Sequence, residues 1–251
     1  MAQFLTVYET AVTGIPLFGR VHLGWLLFAA VFFAGSTVAY RRCGIRGRRR
    51  WRRGIAAAQI LGELGKYAVV LAAGYPDVQY LPLHLCSLCM FASIAYAIHP
   101  SAEAGEFLFA AGLPGAAAAL LFPGWTVLPA GSYLSIHSFL FHILLLSSVL
   151  LPLSAGEIRP DVRRLPGCAL VIVAASPPVY AVNHRFGTNF FYLALPGEGN
   201  PLSLFAQLWG NPGYVAVLPL LCGSVWAVLY GGIALSRRIC FDNCQNTIDK
   251  I

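Results

Sequence analysis

The chain alternates long apolar runs with short polar joints, a rhythm that predicts helices crossing a membrane. A run of about 20 apolar residues spans a ~30 Å hydrocarbon core at ~1.5 Å per residue. Such runs place spans at 21–40, 54–74, 81–98, 105–122, 132–153, 167–183 and 213–235. The expected fold is all-α: a polytopic bundle of seven transmembrane helices in a single domain covering residues 1–251. The joints are short except for 184–212, where Leu202–Trp209 reads as a helix lying in the interface. Residues 4–18, ahead of the first span, are a second candidate of that kind. No internal repeat is evident.

Composition agrees. With 58% hydrophobic and 11% charged residues the chain is not an ordinary soluble domain. The first apolar run is long, is preceded by Glu9 and no lysine, and is followed by an arginine block. It reads as a retained span rather than a cleaved leader. The net charge of +7 points to a membrane surface rather than to nucleic acid, because the basic residues abut the spans, where they orient the chain and meet anionic lipid heads. Eight of fifteen arginines fall within residues 41–53. That block, the loop with Arg159, Arg163 and Arg164, and the tail with Arg237 and Arg238 lie on one side of the seven-span scheme. The positive-inside rule then puts the amino terminus outside and the carboxyl terminus in the cytoplasm. A multi-pass plasma-membrane protein is expected, with membrane lipids as partners. The seven cysteines show no secreted disulfide framework, and Cys43, Cys240 and Cys244 flank cytoplasmic ends.

This orientation brings the chemistry-bearing residues toward one face. Leu81-Pro82-Leu83-His84-Leu85-Cys86 opens the third span, His22 the first, and His137 lies a similar distance into the fifth. Glu63, Lys66 and His142 are deeper, and His99 ends the third span on the other side. Cys86 is the nucleophile candidate, since a helix amino terminus and a nearby imidazole lower a thiol pKa. Pro82 suits a first helical turn. His84, two residues away, would point elsewhere, which favours His137 as the general base. His142 lies about 140° round the helix from His137 and is the other catalytic candidate, or a hydrogen-bonding group near Glu63. Glu63 and Lys66, at i and i+3, can pair on one side of the second span, as a packing device or a proton relay. His22, His84 and His137 can alternatively be read as zinc ligands, since imidazole is the commonest nitrogen ligand. The Cys86/Cys89 spacing has no redox-domain context. The segment after span six supplies Asn183, His184, Arg185, Thr188 and Asn189 as substrate-binding candidates alongside His22 and His84, with Gly187 permitting a sharp reversal. A re-entrant cap over the bundle is expected there. Each of these residues also has a plain structural reading: cysteine is a common small core residue, and Arg185 can be an interfacial anchor.

Taken in order, Pro16-Leu17-Phe18-Gly19 leading to His22, the Leu81–Cys86 hexapeptide, the His137 region, and residues 183–193 with their Gly187-Thr188-Asn189 core resemble the YwaF-like family of bacterial integral membrane proteins. More distant eukaryotic relatives look like multi-pass acyltransferases that move fatty acyl groups among phospholipids with a cysteine. That resemblance implies Cys86 as the acyl-accepting residue, with His137 or His142 as its partner. The expected function is a lipid-active acyltransferase or acyl hydrolase near the outer membrane face. It would act on an acyl-chain substrate without a cofactor, Asn183 or Asn189 supporting the oxyanion. A small-molecule transporter or receptor, or a metal-dependent membrane hydrolase, is the alternative.

Overall fold

The computed structural model describes residues 4–7, 14–75, 77–196 and 202–248, with side chains through Ser236. Among the described residues it is all-helical. Two long helices come first, α1 (Arg20–Arg42) and α2 (Ile45–Ala72), joined only by the extended Cys43 and Gly44. α2 ends where Gly74 takes a left-handed conformation (φ 70°) and Tyr75 N–H donates back to Val70 O, a glycine-terminated helix end. Next come α3 (Leu85–Ile98) and a continuous rod made of α4 (Ala102–Phe107), a π-helical turn (Leu108–Gly112) and α5 (Leu113–Leu121). Ser101 caps the rod, its hydroxyl accepting from Ala104 N–H at 3.1 Å. The chain continues as α6 (Tyr133–Ser154), α7 (Leu165–Phe186), the short α8 (Leu202–Trp209) and α9 (Val217–Ile248).

Among the described residues six stretches are long and apolar enough to cross a membrane: Arg20–Arg42, Ile45–Ala72, Ala102–Leu121, Tyr133–Ser154, Val162–Phe186 and Gly213–Ser236. The third predicted span is the exception. Its helix has only 14 residues, about 21 Å, roughly 9 Å short of a hydrocarbon core. The reason is Pro82. The residue before a proline is pushed to extended backbone, and Leu81 has ψ 147°. Pro82 therefore lies ahead of the helix rather than in its first turn, and His84 becomes the N-cap. Leu202–Trp209 is helical as expected. The other interfacial candidate, 4–18, falls partly outside the described residues. Its described parts are non-helical and tie down to the bundle: Tyr133 N–H donates to Phe4 O at 2.9 Å, and Ile15 N–H to Thr126 O at 2.6 Å.

α6 is the axis. About 67% of its membrane-length window is buried in the protein, against 0% for that of α9, so α9 presents its apolar residues outward as a lipid-facing helix does. α2 seats deeply on α6 because it is notched. A side chain at Gly65 would overlap Tyr133 Oη, and one at Gly62 would meet His137 Cδ2 at 3.3 Å. Small residues let helices approach closely in a bilayer, where apolar attraction between helices has little force. Polar bonds do the same work at the periphery. Trp226 of α9 donates to Ala110 O in the π turn at 2.9 Å, a carbonyl in a stretch where the regular helical ladder is interrupted.

Candidate functional site

The bundle has two polar ends. At one, α1 stops and α2 starts within the arginine block; at the other, α3 and α6 begin among the histidines. The histidine end is built from three helices. α2 contributes Glu63 and Lys66, α3 contributes His84 and Cys86, and α6 contributes His137 and His142.

The expected i, i+3 pair is present: Lys66 Nζ donates to Glu63 Oε2 at 2.6 Å. The other carboxylate oxygen faces α6, with His137 Nε2 3.4 Å from Glu63 Oε1. That separation lacks hydrogen-bond geometry, and His137 Nε2 is buried with no hydrogen-bond partner. The ring lies between Tyr133 (5.9 Å, nearly parallel) and Phe141 (5.8 Å). Glu63 therefore belongs with His137, not with His142 as the sequence reading suggested. His142 turns the other way round α6. Its Nδ1–H donates to Ser138 O at 2.7 Å, and its ring stacks on Trp125 at 4.9 Å and meets the edge of Phe141 at 5.2 Å. A carbonyl partner at Nδ1 puts the proton there and leaves Nε2 with a lone pair in the neutral ring.

Cys86 is the second residue of α3, a half-buried free cysteine. It packs against the apolar cluster that holds Phe141, with Trp125 packed against the same cluster; these are the two rings that hold His142. His84, ahead of it, is exposed and meets Phe190 edge-on at 4.9 Å.

Several predicted ligand-binding residues serve the scaffold instead. His22 is fully buried, with Phe18 N–H donating to its Nδ1 at 2.9 Å and its Nε2–H donating to Leu120 O at 2.8 Å. Both ring nitrogens are engaged, fastening α1 to the end of α5. The proposed zinc trio His22, His84 and His137 does not assemble; among the described residues no group of three His, Cys, Asp or Glu side chains is placed to hold a metal ion. Asn183 is likewise engaged. Its Oδ1 accepts from Thr188 Oγ1 (2.9 Å) and Phe190 N–H (2.8 Å), and its Nδ2 donates to Phe190 O (2.9 Å). Asn189 accepts from the amides of Ala194 and Leu195 and donates to Leu195 O. These two amides shape the segment after α7, so neither is free for an oxyanion. They hold the expected reversal at Gly187 (φ 69°) and set Phe190 over His84. The segment is strained, since Phe191 and Tyr192 both have left-handed φ, 60° and 55°. Tyr214 Oη donates to Tyr192 O at 2.6 Å and helps keep it there. His184 and Arg185 are exposed at the end of α7, Arg185 lying over the Phe186 ring at 5.4 Å. Ahead of α3, Tyr80 Oη donates to Val7 O at 2.6 Å, and burial together with nearby Asp77 pushes its phenol above the usual range.

The other end holds polar groups that the sequence reading passed over. Glu157 accepts from Tyr40 Oη at 2.8 Å and from Arg52, with Arg48 3.5 Å away. Glu106, 1% exposed, accepts from Tyr230 Oη and from Asp161 N–H (2.9 Å), with Arg164 at 3.9 Å. A carboxylate inside a predicted span was the signal for Glu106. A small cavity lies at this end, lined by Tyr40, Arg52, Ser93 and Ser148 among others.

No curated protein and no solved structure matches the chain. The family model that matches covers residues 17–230 and describes the TMEM164 family.

Proposed function

The chain belongs to the TMEM164 family, a multi-pass membrane family, and on that footing we propose that it is a lipid-active acyltransferase with Cys86 as the acyl-accepting nucleophile. The observation that carries this reading is the short third helix. Irregular backbone at membrane depth persists only where protein or a water-lined cavity surrounds it. The stretch before α3 carries His84 and leads into Cys86, at the same end of the bundle as His137, His142, Lys66 and Glu63, which supports the reading. The proposal takes α3 as a seventh, short crossing and applies the positive-inside rule, so that the arginine end is cytoplasmic and the histidine end faces outward. The YwaF-like resemblance and its distant acyltransferase relatives point the same way.

In this reading His142, rather than His137, is the base, because the Ser138 carbonyl leaves its Nε2 lone pair available while His137 is turned to Glu63. The thiol of Cys86 gives its proton to His142, and the sulfur attacks an acyl ester carbon. A C–S bond forms, the ester C–O bond breaks, and the leaving lysophospholipid alkoxide takes the proton back from His142. The hydroxyl of an acceptor lysophospholipid then attacks the thioester, passing its proton through His142 to restore the thiol. The amide of Cys86 is in the first helical turn, where N–H groups lack intrahelical partners. It is the group assigned to the carbonyl oxygen in place of Asn183 or Asn189.

The test is acyl exchange in nanodiscs containing a phospholipid with an isotopically labelled acyl chain and an unlabelled lysophospholipid. Wild-type protein is expected to move label to the acceptor, and Cys86→Ala to show none above an empty nanodisc. Equal transfer by both proteins would remove Cys86 from the role.

A further inference from the structure

The arginine block divides by helix face. α2 has 28 residues and is about 42 Å long, roughly 12 Å more than a hydrocarbon core. The excess is about eight residues, matching the arginine-bearing start of the helix, which therefore lies at headgroup level. Two of its arginines, Arg48 and Arg52, one turn apart, face the bundle and are matched by Glu157. Arg46, Arg49, Arg50 and Arg53 fall at i, i+3, i+4 and i+7, which is a single stripe on the opposite face. All four are exposed, and among the described residues none has an ion-pair or hydrogen-bond partner.

That stripe is unfavourable by itself. Like charges at i, i+4 repel along a helix, and cations at a helix start oppose its dipole. The first turn of α2 contains no acidic residue to offset them. α1 makes the contrast: its Arg41 and Arg42 are at a helix end, where cations suit the dipole. Among the described residues no carboxylate relieves the α2 stripe, and an anion from outside the chain would. Its place selects the source, because Ile45, 87% exposed, and half-buried Trp51 flank the arginines with apolar and interfacial surface.

We infer that Arg46, Arg49, Arg50 and Arg53 form a binding face for the phosphates of anionic membrane lipids, holding two or more headgroups along the first two turns of α2. The inference does not depend on the acyl-transfer reading. It is tested with protein reconstituted in nanodiscs of phosphatidylcholine with a minority of phosphatidylglycerol, transferred to neutral detergent, the retained lipids being counted by native mass spectrometry. A juxtamembrane cation adds about fivefold in preference for an anionic surface. Wild-type protein should therefore retain phosphatidylglycerol over phosphatidylcholine by about a hundredfold or more above the bilayer ratio. Replacing all four arginines with glutamine should return retention to the bilayer ratio, and replacing them with lysine should preserve most of the preference. If the glutamine protein is poorly folded, Arg49→Gln and Arg50→Gln alone should each lower the preference about fivefold. Unchanged retention in the glutamine variants overturns the assignment. Complete displacement of the lipid by millimolar inorganic phosphate, or by a short oligonucleotide, would also overturn it, in favour of a free-phosphate or nucleic-acid site.

Discussion

The arginine end and the histidine end both bury ionisable groups, but they differ in what those groups have left to offer. At the arginine end the carboxylates are fully engaged. Glu106 uses both oxygens on Tyr230 and Asp161, and Glu157 receives Tyr40 and two arginines. At the histidine end the engaged residues, His22 and Asn183, sit round the edge. In the middle are His137 with an unpartnered Nε2, His142 with only Nδ1 bonded, and Cys86 as a half-buried free cysteine. Burying a polar group without a partner costs free energy, so groups left that way in a well-packed bundle mark where a ligand would be met. Arg52 Nε is also left unpartnered at the arginine end, but its guanidinium is otherwise committed to Glu157 and Tyr40; at the histidine end the unpartnered nitrogen belongs to an imidazole, a group that can exchange a proton.

That contrast can be broken by substitution. The largest effect is expected from His142→Gln, which should lower acyl transfer by about 10²–10⁴-fold while barely moving the melting temperature. If stability falls as far as activity, His142 belongs with the structural residues. Glu106→Ala is expected to act in the opposite sense. It strands the buried hydroxyl of Tyr230 and the amide of Asp161, and should cost about 3–5 kcal/mol in thermal unfolding. A loss below about 1 kcal/mol would mean this end is not a lock. Asn183→Ala should cost about 1–3 kcal/mol for each Phe190 backbone group left unpaired, and should raise proteolysis of the segment after α7. An unchanged cleavage rate would detach Asn183 from the cap. The smallest pair tests the notch in α2. Gly65→Ala should destabilise by about 1–3 kcal/mol, because its Cβ would overlap Tyr133 Oη. Gly35→Ala, with nothing within 4 Å, should be neutral or up to about 1 kcal/mol stabilising. Equal melting temperatures for the two variants would show that close packing at Gly65 is not required.

The apolar runs made the long helices legible, because crossing a bilayer leaves a long uninterrupted signature, although α2 starts at Ile45, ahead of the span expected from 54, and α9 runs on to Ile248, beyond the span expected to end at 235. The exception, α3, was legible in its parts: Pro82 was in view, but its extended neighbour shortens the helix rather than starting it. The Glu63–Lys66 pair could be read because i, i+3 neighbours are fixed by one helix. Its link to His137 could not, since that depends on how α2 and α6 register against each other, which Gly62 and Gly65 set. The same holds for His22 and Asn183, polar residues whose partners lie on other elements or around a tight reversal. The π turn left no local mark, since Leu108–Gly112 is apolar throughout. The arginine block was legible as charge, but its division into an inward pair and an outward stripe needed the position of Glu157.

The most direct measurement is the mass of the peptide carrying Cys86 after brief exposure of the reconstituted protein to a phospholipid, with rapid acid quench to preserve thioesters. The expected result is a fatty-acyl adduct on Cys86 that hydroxylamine removes and that accumulates when no lysophospholipid acceptor is supplied. Label transfer in the same sample with Cys86 unmodified, or an adduct found on Cys89 or Cys168 instead, would contradict it.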